Sequence, residues 1–190
     1  MEPVTLTSER LLLRTFTPDD AEEVRAACQD PDILRWIPVA DPYEREHADD
    51  FVGRIVPDGW STDTSYTFSV RPRGGGPLLG STSLHHPCEG TWEIGFFTVA
   101  EHRGRGYAVE VVRTLAAWAF TDLGCTRLEW RAQVGNTASR IVAEKAGFTI
   151  EGTLRAALPY RGTLRDCWLG SLLPADLGLP GAQVYLPARG

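Results

Sequence analysis

Hydrophobic and polar residues follow two different periods along this chain, helical in some segments and alternating in others. In the first part, proline-containing starts precede short amphipathic segments, which predict helices. Alternating segments separated by short glycine turns come next, and they predict antiparallel strands joined by hairpins. The predicted elements are a strand within 4–16, helices over 17–28, 30–36 and 41–56, and strands over 66–70, 78–84 and 92–99.

The second part of the chain predicts a crossover between two parallel strands. Apolar residues recur at helical spacing from Gly106 until Gly124, which indicates one long helix. Residues 128–134 then alternate between apolar and polar, as a strand with one buried face does. Because a helix joins this strand to the strand before it, the two strands run parallel. A helix over 137–146 and strands near 148–157 and 163–173 complete the prediction.

Composition limits what kind of protein this is. With 190 residues and 43% hydrophobic content, the chain is expected to form one domain over 1–190, with a core of about 5–173 and a tail of 174–190. A formal charge of -6 argues against a nucleic-acid partner, which would need a surplus of Lys and Arg. No apolar run approaches the roughly 20 residues that cross a bilayer, so no membrane role is expected. Four scattered cysteines and the lack of a recognisable signal peptide favour reduced thiols and a cytoplasmic location.

The turn between strand 92–99 and the long helix has the composition of an anion-binding loop. Gly104 and Gly106 allow close approach to the free N–H groups at the helix start, and Arg103 and Arg105 add positive charge. Glycines at this spacing also suit an ordinary strand-to-helix turn. Val109 stands where a dinucleotide-binding fingerprint has Gly or Ala, so a Rossmann fold is excluded.

A second group of polar residues follows strand 78–84 and invites a metal-site hypothesis. His85, His86, Cys88 and Glu89 are crowded at a strand end, where successive side chains point to opposite faces. A zinc site also requires a second ligand cluster at a fixed spacing, which the sequence lacks. We therefore expect a solvated turn and no metal.

Several short motifs follow one another in an order that is more specific than any one of them. They are Thr7-Ser8-Glu9-Arg10-Leu11-Leu12-Leu13-Arg14, Trp92-Glu93-Ile94-Gly95-Phe96-Phe97, Arg103-x-x-Gly106-x-Ala108 with Glu110, Asn136-x-x-Ser139, Glu144-Lys145-x-Gly147-Phe148 and Gly152-Thr153-Leu154-Arg155. As a set, spanning about 5–173, they resemble the GCN5-related N-acetyltransferase (GNAT) superfamily. Within it, the chain is most similar to the RimJ/RimL-like branch, which acetylates N-terminal amines of ribosomal proteins.

The resemblance implies a mixed α/β fold, with a mostly antiparallel sheet of about seven strands flanked by helices. Its central parallel strands, 92–99 and 128–134, are expected to splay apart and hold the pantetheine arm of acetyl-CoA between them. The first of these strands is expected to be bulged and to offer a backbone N–H to the thioester oxygen, an interaction worth about 3 kcal/mol in other enzymes. The implied acetyl-CoA contacts are Phe97, Thr98, Val99, Arg103, Gly104, Arg105, Gly106, Tyr107, Ala108 and Asn136.

Proton transfer needs its own residues, because only a neutral amine can attack a thioester. Glu93, beside the expected cofactor, is the first candidate for the base, and an apolar pocket would raise its pKa. A paired surface carboxylate is the alternative interpretation of Glu93. Ser139 is the candidate acid for the leaving thiolate, with Tyr107 and Tyr160 as further candidates, while Asn136 is expected to cap a helix as well as to bind the cofactor.

The predicted function is acetyl-CoA-dependent acetylation of a primary amine, either a protein N-terminus or a small molecule. An α-amine with a pKa of about 8 needs a weaker base than a lysine amine at about 10.4. Trp36 and Trp60 are candidates for the wall of the acceptor pocket. The alternative is a catalytically inactive domain that binds acyl-CoA as a sensor or structural module, since the glycine loop serves both. Members of the superfamily often dimerise, so a homodimer is a further expectation.

Overall fold

The computed structural model describes residues 1–188, and one sheet of eight strands forms its centre. The strands are β1 (Leu6–Thr7), β2 (Leu11–Arg14), β3 (Ser65–Pro72), β4 (Gly80–Cys88), β5 (Thr91–Thr98), β6 (Arg127–Gln133), β7 (Thr149–Tyr160) and β8 (Thr163–Leu172). Their order across the sheet is β1-β2-β3-β4-β5-β6-β8-β7. Only β5 and β6 pair in parallel among the described strands. The predicted mixed sheet with a central parallel pair is therefore confirmed.

The eighth strand arises at the start of the chain, where one strand was expected within 4–16. A tight turn divides this segment into β1 and β2, which pair with each other. The turn is closed by the Ser8 N–H, which donates to the Leu11 carbonyl at 3.0 Å, and by the Leu11 N–H, which donates to Ser8 Oγ at 3.1 Å. Because a serine side chain can replace a backbone partner in this way, the alternating pattern alone did not reveal the turn.

Six α-helices and several short helical turns accompany the sheet in the described part of the chain. They are α1 (Ala21–Ala27), α2 (Pro31–Trp36), α3 (Arg45–Asp50), α4 (Val56–Ser61), α5 (Tyr107–Asp122) and α6 (Thr137–Ala146), with a π-helical turn at Phe51–Ile55 and 3-10 turns at Pro18–Asp20, Ala100–His102 and Pro174–Leu177. The predicted helices over 30–36, 137–146 and after Gly106 are confirmed. Within residues 1–188, none of the helices has the length and apolar content that crossing a membrane requires.

The third predicted helix, over 41–56, has different boundaries in the structure. It begins at Arg45, because Glu44 is still extended and donates its N–H to His47 Nδ1 at 2.9 Å. It also continues beyond residue 56, through the π-helical turn into α4. The π-helical turn is closed by the Val56 N–H, which donates to the Phe51 carbonyl. Pro57 would clash with the preceding turn of a regular α-helix, and the wider π turn provides room for its ring.

The core contains a cluster of large aromatic side chains between β3, β5, α4 and α5. Trp60 is 2% exposed and lies 4.7 Å from Tyr66 and 5.2 Å from Phe68, measured between ring centroids. Tyr66 in turn stacks on Trp92 at 5.1 Å and contacts the edge of Trp118 at 5.5 Å. Trp60 is therefore a core residue, and its expected place in the wall of the acceptor pocket is wrong.

A buried ion pair joins β2 and β3 to the start of α1. The Asp20 carboxylate is 3% exposed and accepts hydrogen bonds from Arg14 at 2.7 and 2.8 Å, from Arg71 at 2.6 Å and from the Thr17 N–H at 2.8 Å. Burial alone would raise the pKa of Asp20. The hydrogen bonds from Arg14 and Thr17 and the positive charges of Arg14 and Arg71 outweigh burial and lower this pKa to about 2.

The depressed pKa of Asp20 predicts acid sensitivity. Since the folded-state pKa lies below the ordinary value of about 3.9, the stability from this group is present above that value and is lost as the pH falls through about 2. We expect the free energy of unfolding to decrease by about 2 kcal/mol between pH 5 and pH 2 through this group. Urea unfolding at a series of pH values should show a shallower acid dependence in Asp20→Asn than in the exposed control Asp58→Asn. Equal acid dependence in both variants would contradict the assignment.

Candidate active site

The two parallel strands separate half-way along their length. β5 and β6 pair from Thr91 opposite Arg127 as far as Ile94 opposite Trp130. Beyond that point β5 stays paired with β4 through Thr98, and β6 stays paired with β8 through Gln133. A gap therefore opens between the two strands, as the predicted splay requires.

The alternation of backbone groups along β5 identifies the residues whose main chain lines this gap. The Val99 N–H donates to the Leu79 carbonyl at 2.9 Å, on the β4 side. Because backbone groups alternate along a strand, Phe97 also faces β4, whereas Phe96 and Thr98 face the gap. Contact of acetyl-CoA with Phe97, Thr98 and Val99 stays a prediction. Phe96 is an additional position that only the strand register reveals.

The bulge that was expected in strand 92–99 lies in the neighbouring strand. β5 pairs with β4 without interruption from Glu93 opposite His85 to Thr98 opposite Gly80. The irregularity falls between His85 and Cys88 of β4. The prediction of a bulged β5 is therefore wrong, and the gap opens beside a β5 that stays regularly paired with β4.

The glycine loop ends at the start of α5 and leaves main-chain N–H groups available. Gly104 and Gly106 have φ angles of 75° and 78°, a left-handed conformation that side chains disfavour. Gly106 is the N-cap of α5, and no described side chain caps this end. A methyl group built on Gly104 would meet no described atom within 4 Å. The first N–H groups of α5, including those of Tyr107 and Ala108, are therefore not capped by a described side chain and are available to an anion.

The arginines of the loop make contacts within the protein. Arg103 donates to the Thr98 carbonyl at 3.1 Å and to Asp32 at 3.2 Å, and it also bonds the Asp30 carboxylate. Arg105 donates to the Glu101 carbonyl at 3.0 Å. This corrects the expected role of Arg103 as a free positive charge, because two carboxylates from the start of α2 already balance it.

A second set of contacts supports the loop from the β1–β2 turn. Glu110, in the first turn of α5, accepts hydrogen bonds from Ser8 Oγ at 2.6 Å and from Arg10 Nε at 2.6 Å. Arg10 also donates to the Arg105 carbonyl at 3.1 Å and lies 4.8 Å from the centre of the Tyr107 ring. The motif near the chain start and Glu110 thus act together as a brace for the glycine loop.

Glu93 lies where the parallel pair begins to open. Its carboxylate is partly buried, and its charged neighbours on β6 are Arg131, at 3.5 Å, and Glu129. Burial is the main reason why the pKa of Glu93 is raised, with the nearby Glu129 acting in the same direction and Arg131 in the opposite one. A carboxylate with a raised pKa is a suitable proton acceptor near neutral pH.

Asn136 and Ser139 lie at the start of α6, beside the end of β6. Asn136 Oδ1 accepts the Ser139 N–H at 3.2 Å, so the predicted helix cap is confirmed. Ser139 Oγ accepts the indole N–H of Trp130 at 3.0 Å. A hydroxyl has one proton to donate and two acceptor positions, so this contact leaves the Ser139 proton available for another group.

Comparison with known proteins identifies the family of this chain. The sequence model of the acetyltransferase (GNAT) domain family matches residues 10–149. The chain belongs to the GNAT family. A Bacillus subtilis (strain 168) protein named "Putative ribosomal N-acetyltransferase YdaF" is 31% identical over 175 residues, which cover 89% of this chain and 94% of that protein.

Solved structures agree with this family assignment. A GNAT-family acetyltransferase from Bacillus anthracis is 26% identical, covers 90% of this chain and 99% of its own, and has a TM-score of 0.79. RimJ of Mycobacterium smegmatis, solved in complex with CoA-disulfide, shares the fold at a TM-score of 0.80 and 21% identity, covering 94% of this chain and 92% of its own. The protein is an acetyltransferase, which favours the enzyme over the inactive binding module.

The structure also places the remaining candidate residues of this GNAT acetyltransferase, which are those for the acid, the acceptor wall and a metal site. The Tyr160 hydroxyl donates to the Leu34 carbonyl at 2.7 Å, so its proton is already engaged. The Trp36 ring lies 3.7 Å from where a side chain on Gly135 would begin, at the end of β6, and it stays a candidate for the acceptor wall. His86 stacks on Trp92, with centroids 4.4 Å apart. Among residues 1–188, no group of three or more His, Cys, Asp or Glu side chains is arranged to hold a metal ion.

Two further residues lie beside the site without a sequence motif that marks them. Trp130 is on the buried face of strand 128–134, and a buried indole N–H needs a partner, which is a signal that points to a nearby polar group such as Ser139. Arg131 looked like a solvent-facing strand residue, and only the register of β5 against β6 brings it to Glu93.

The brace under the glycine loop predicts a loss of cofactor affinity in Glu110→Gln. This change removes the charge that holds Arg10 and Ser8, so the loop should lose order before it binds a ligand. We expect the dissociation constant for acetyl-CoA to rise by about tenfold, equivalent to about 1.4 kcal/mol. Isothermal titration calorimetry measures this constant, and Glu101→Gln, an exposed change in the same loop region, is the matched control. Equal affinity in the two variants would show that the brace has no part in binding.

Proposed function

We propose that this enzyme transfers an acetyl group from acetyl-CoA to a primary amine, which attacks the thioester directly. The observation that carries the proposal is the gap between β5 and β6, with the uncapped start of α5 beyond it. Glu93 lies on one strand at this gap, and Ser139 is held beside the other strand by Trp130. A proton acceptor and a proton donor thus flank the place where acyl transfer would occur.

The residues that would hold acetyl-CoA are supported by separate observations. The main-chain N–H groups of Gly106, Tyr107 and Ala108 would bind its diphosphate, since helix starts and left-handed glycines suit anions. The gap-facing groups of Phe96 and the N–H of Thr98 would pair with the amides of the pantetheine arm, since the Thr98 carbonyl already accepts from Arg103. The amide nitrogen of Asn136 is not used by the helix cap and would reach the same arm. Acetyl-CoA supplies the thioester whose acyl group is transferred.

Two proton movements are assigned to residues of this chain. Glu93 accepts the proton of the incoming ammonium group, directly or through water, because its raised pKa makes it a stronger base than an ordinary carboxylate. Ser139 relays a proton to the departing thiolate: its hydroxyl donates to the sulfur and recovers a proton from the attacking nitrogen, which must lose its second proton as the tetrahedral intermediate collapses. The Trp130 N–H keeps the hydroxyl oriented. An α-amine, with a pKa of about 8, suits this modest base better than a lysine amine does.

The acceptor class is proposed as a protein N-terminal α-amine or a small-molecule amine. The relative named as a ribosomal N-acetyltransferase supports the first class. The formal charge of -6 supports a basic acceptor of either class through long-range attraction. A cytoplasmic location is supported by four free thiols, of which three are buried.

An acceptor screen tests this function. Release of free thiol from acetyl-CoA would be followed with peptides of different N-termini, with polyamines and with aminoglycosides. We expect turnover with at least one class, and mass spectrometry of the product should show acetylation at nitrogen. Intact acetyl-CoA binding with no turnover across all acceptors would reject the proposal in favour of a binding module.

Replacement of the base predicts a loss in rate. Glu93→Gln should lower kcat at neutral pH by about 100-fold, because a positioned general base typically contributes this much or more. Binding of acetyl-CoA should change little, since Glu93 is not among the residues proposed to hold it. Steady-state kinetics and calorimetry measure the two quantities, with the exposed Glu89→Gln as control. Unchanged turnover in Glu93→Gln would remove Glu93 from the mechanism.

The proposed acid predicts a different pattern in Ser139→Ala. Loss of the hydroxyl should reduce kcat by about tenfold or more while the KM for the amine stays similar, since only the leaving thiolate needs this proton. Trp130→Phe, which removes the orienting N–H and keeps the hydroxyl, should cause a smaller loss. If Ser139→Ala turns over at the rate of the unmodified enzyme, the thiolate is protonated by another group or by solvent.

A further inference from the structure

A row of alternating charges crosses the sheet from Glu93 to the edge strand β7. Arg131 Nε lies 3.5 Å from Glu93 Oε2, and Arg131 Nη2 lies 2.9 Å from Glu129 Oε2. Arg127 then binds Glu129 at 2.9 Å and Glu151 at 2.6 Å. Negative and positive side chains therefore alternate from Glu93 outward to Glu151.

The contacts in this row are unequal, and the weakest one involves Glu93. Arg131 makes close contact with Glu129, at 2.9 Å, but stays 3.5 Å from Glu93, which is longer than a strong charge-assisted hydrogen bond. The Arg131 guanidinium is therefore shared unequally, with its closer contact to Glu129. A carboxylate in a close, two-pronged pair is a poor base, as Glu151 illustrates: its hydrogen bonds to Arg127 lower its pKa to about 2.

We propose that Arg131 and Glu129 are positioning residues that set the charge state of Glu93, Arg131 by favouring the carboxylate and Glu129 by holding Arg131 back. The proposal rests on the function proposed above, in which Glu93 accepts the proton of the acceptor amine. Its physical basis is that a positive charge within about 4–6 Å favours an ionised carboxyl, whereas a negative charge disfavours it. The pair thus tunes the base without touching either substrate.

Other groups around Glu93 are consistent with this assignment. His85 lies opposite Glu93 on β4, and burial lowers the pKa of His85, which leaves its ring neutral near pH 7. Cys167 on β8 lies within electrostatic reach of both Glu93 and Arg131, and burial raises the pKa of its thiol. Both shifts favour the neutral form of these two groups, whereas the pKa shifts of Arg131 and Glu129 favour their charged forms.

The test compares the titration of Glu93 in matched variants of the full chain. Arg131→Gln should move the midpoint of the acidic limb of kcat/KM upward by about one pH unit, at the low end of the effect of a close positive charge. Glu129→Gln should move this midpoint downward, because it removes a negative neighbour and releases Arg131. Arg131→Lys keeps the charge and should restore a midpoint near that of the unmodified enzyme. Carbon-13 NMR of the Glu93 carboxyl, assigned with Glu93→Gln, gives the same midpoints without any acceptor.

Controls separate tuning from loss of structure or of charge in general. Arg25→Gln removes a positive charge from an exposed pair on α1 and should leave the midpoint unchanged. Should Glu129→Gln fail to fold, the Arg131→Gln and Arg131→Lys pair decides alone, because Arg131 is 37% exposed and tolerates replacement. Midpoints equal to that of the unmodified enzyme in Arg131→Gln would overturn the proposal. If Glu93→Gln still loses its activity in that case, Glu93 remains the base and only the tuning is refuted.

Discussion

The separation of β5 from β6 after Ile94 and Trp130 is the constraint on which the rest of the structure depends. Each strand keeps its outer partner beyond this point, so neither loses its place in the sheet. The inner edges are left with main-chain donors and acceptors directed into the gap. Such an edge has the hydrogen-bonding pattern with which an extended chain of amides can pair.

The strands, helix and loop around the gap are held in place by contacts that lie outside the gap. The aromatic cluster of Trp60, Tyr66, Trp92 and Trp118 packs between β3, β5, α4 and α5 and joins these elements. Arg10 and Arg103 fasten the glycine loop to the β1–β2 turn and to α2. Arginine thus positions this loop, and the main chain at the start of α5 provides the field that attracts an anion. An acidic protein can bind an anionic cofactor in this way without a basic surface.

Three glutamates on neighbouring strands show how strongly surroundings determine the chemistry of one residue type. Close hydrogen bonds to Arg127 lower the pKa of Glu151, and hydrogen bonds from Arg127 and Arg131 overcome burial to lower that of Glu129. Glu93 has only the longer 3.5 Å contact with Arg131, so burial prevails and its pKa is raised. The residue with the weakest ion pair is therefore the one suited to move a proton.

The sequence by itself determined the type and order of most elements, the crossover between parallel strands and the family. These features depend on local periodicity, on glycines with left-handed angles such as Gly106, and on motifs of fixed spacing, all of which lie within short stretches of chain. Tertiary structure alone decided that Phe96 faces the gap, that Arg103 is already paired, that Trp60 is buried, and that Arg131 stands beside Glu93. Each of these depends on the register or packing of segments far apart in sequence, and a shift of one residue in a strand would reverse the direction of every side chain in it.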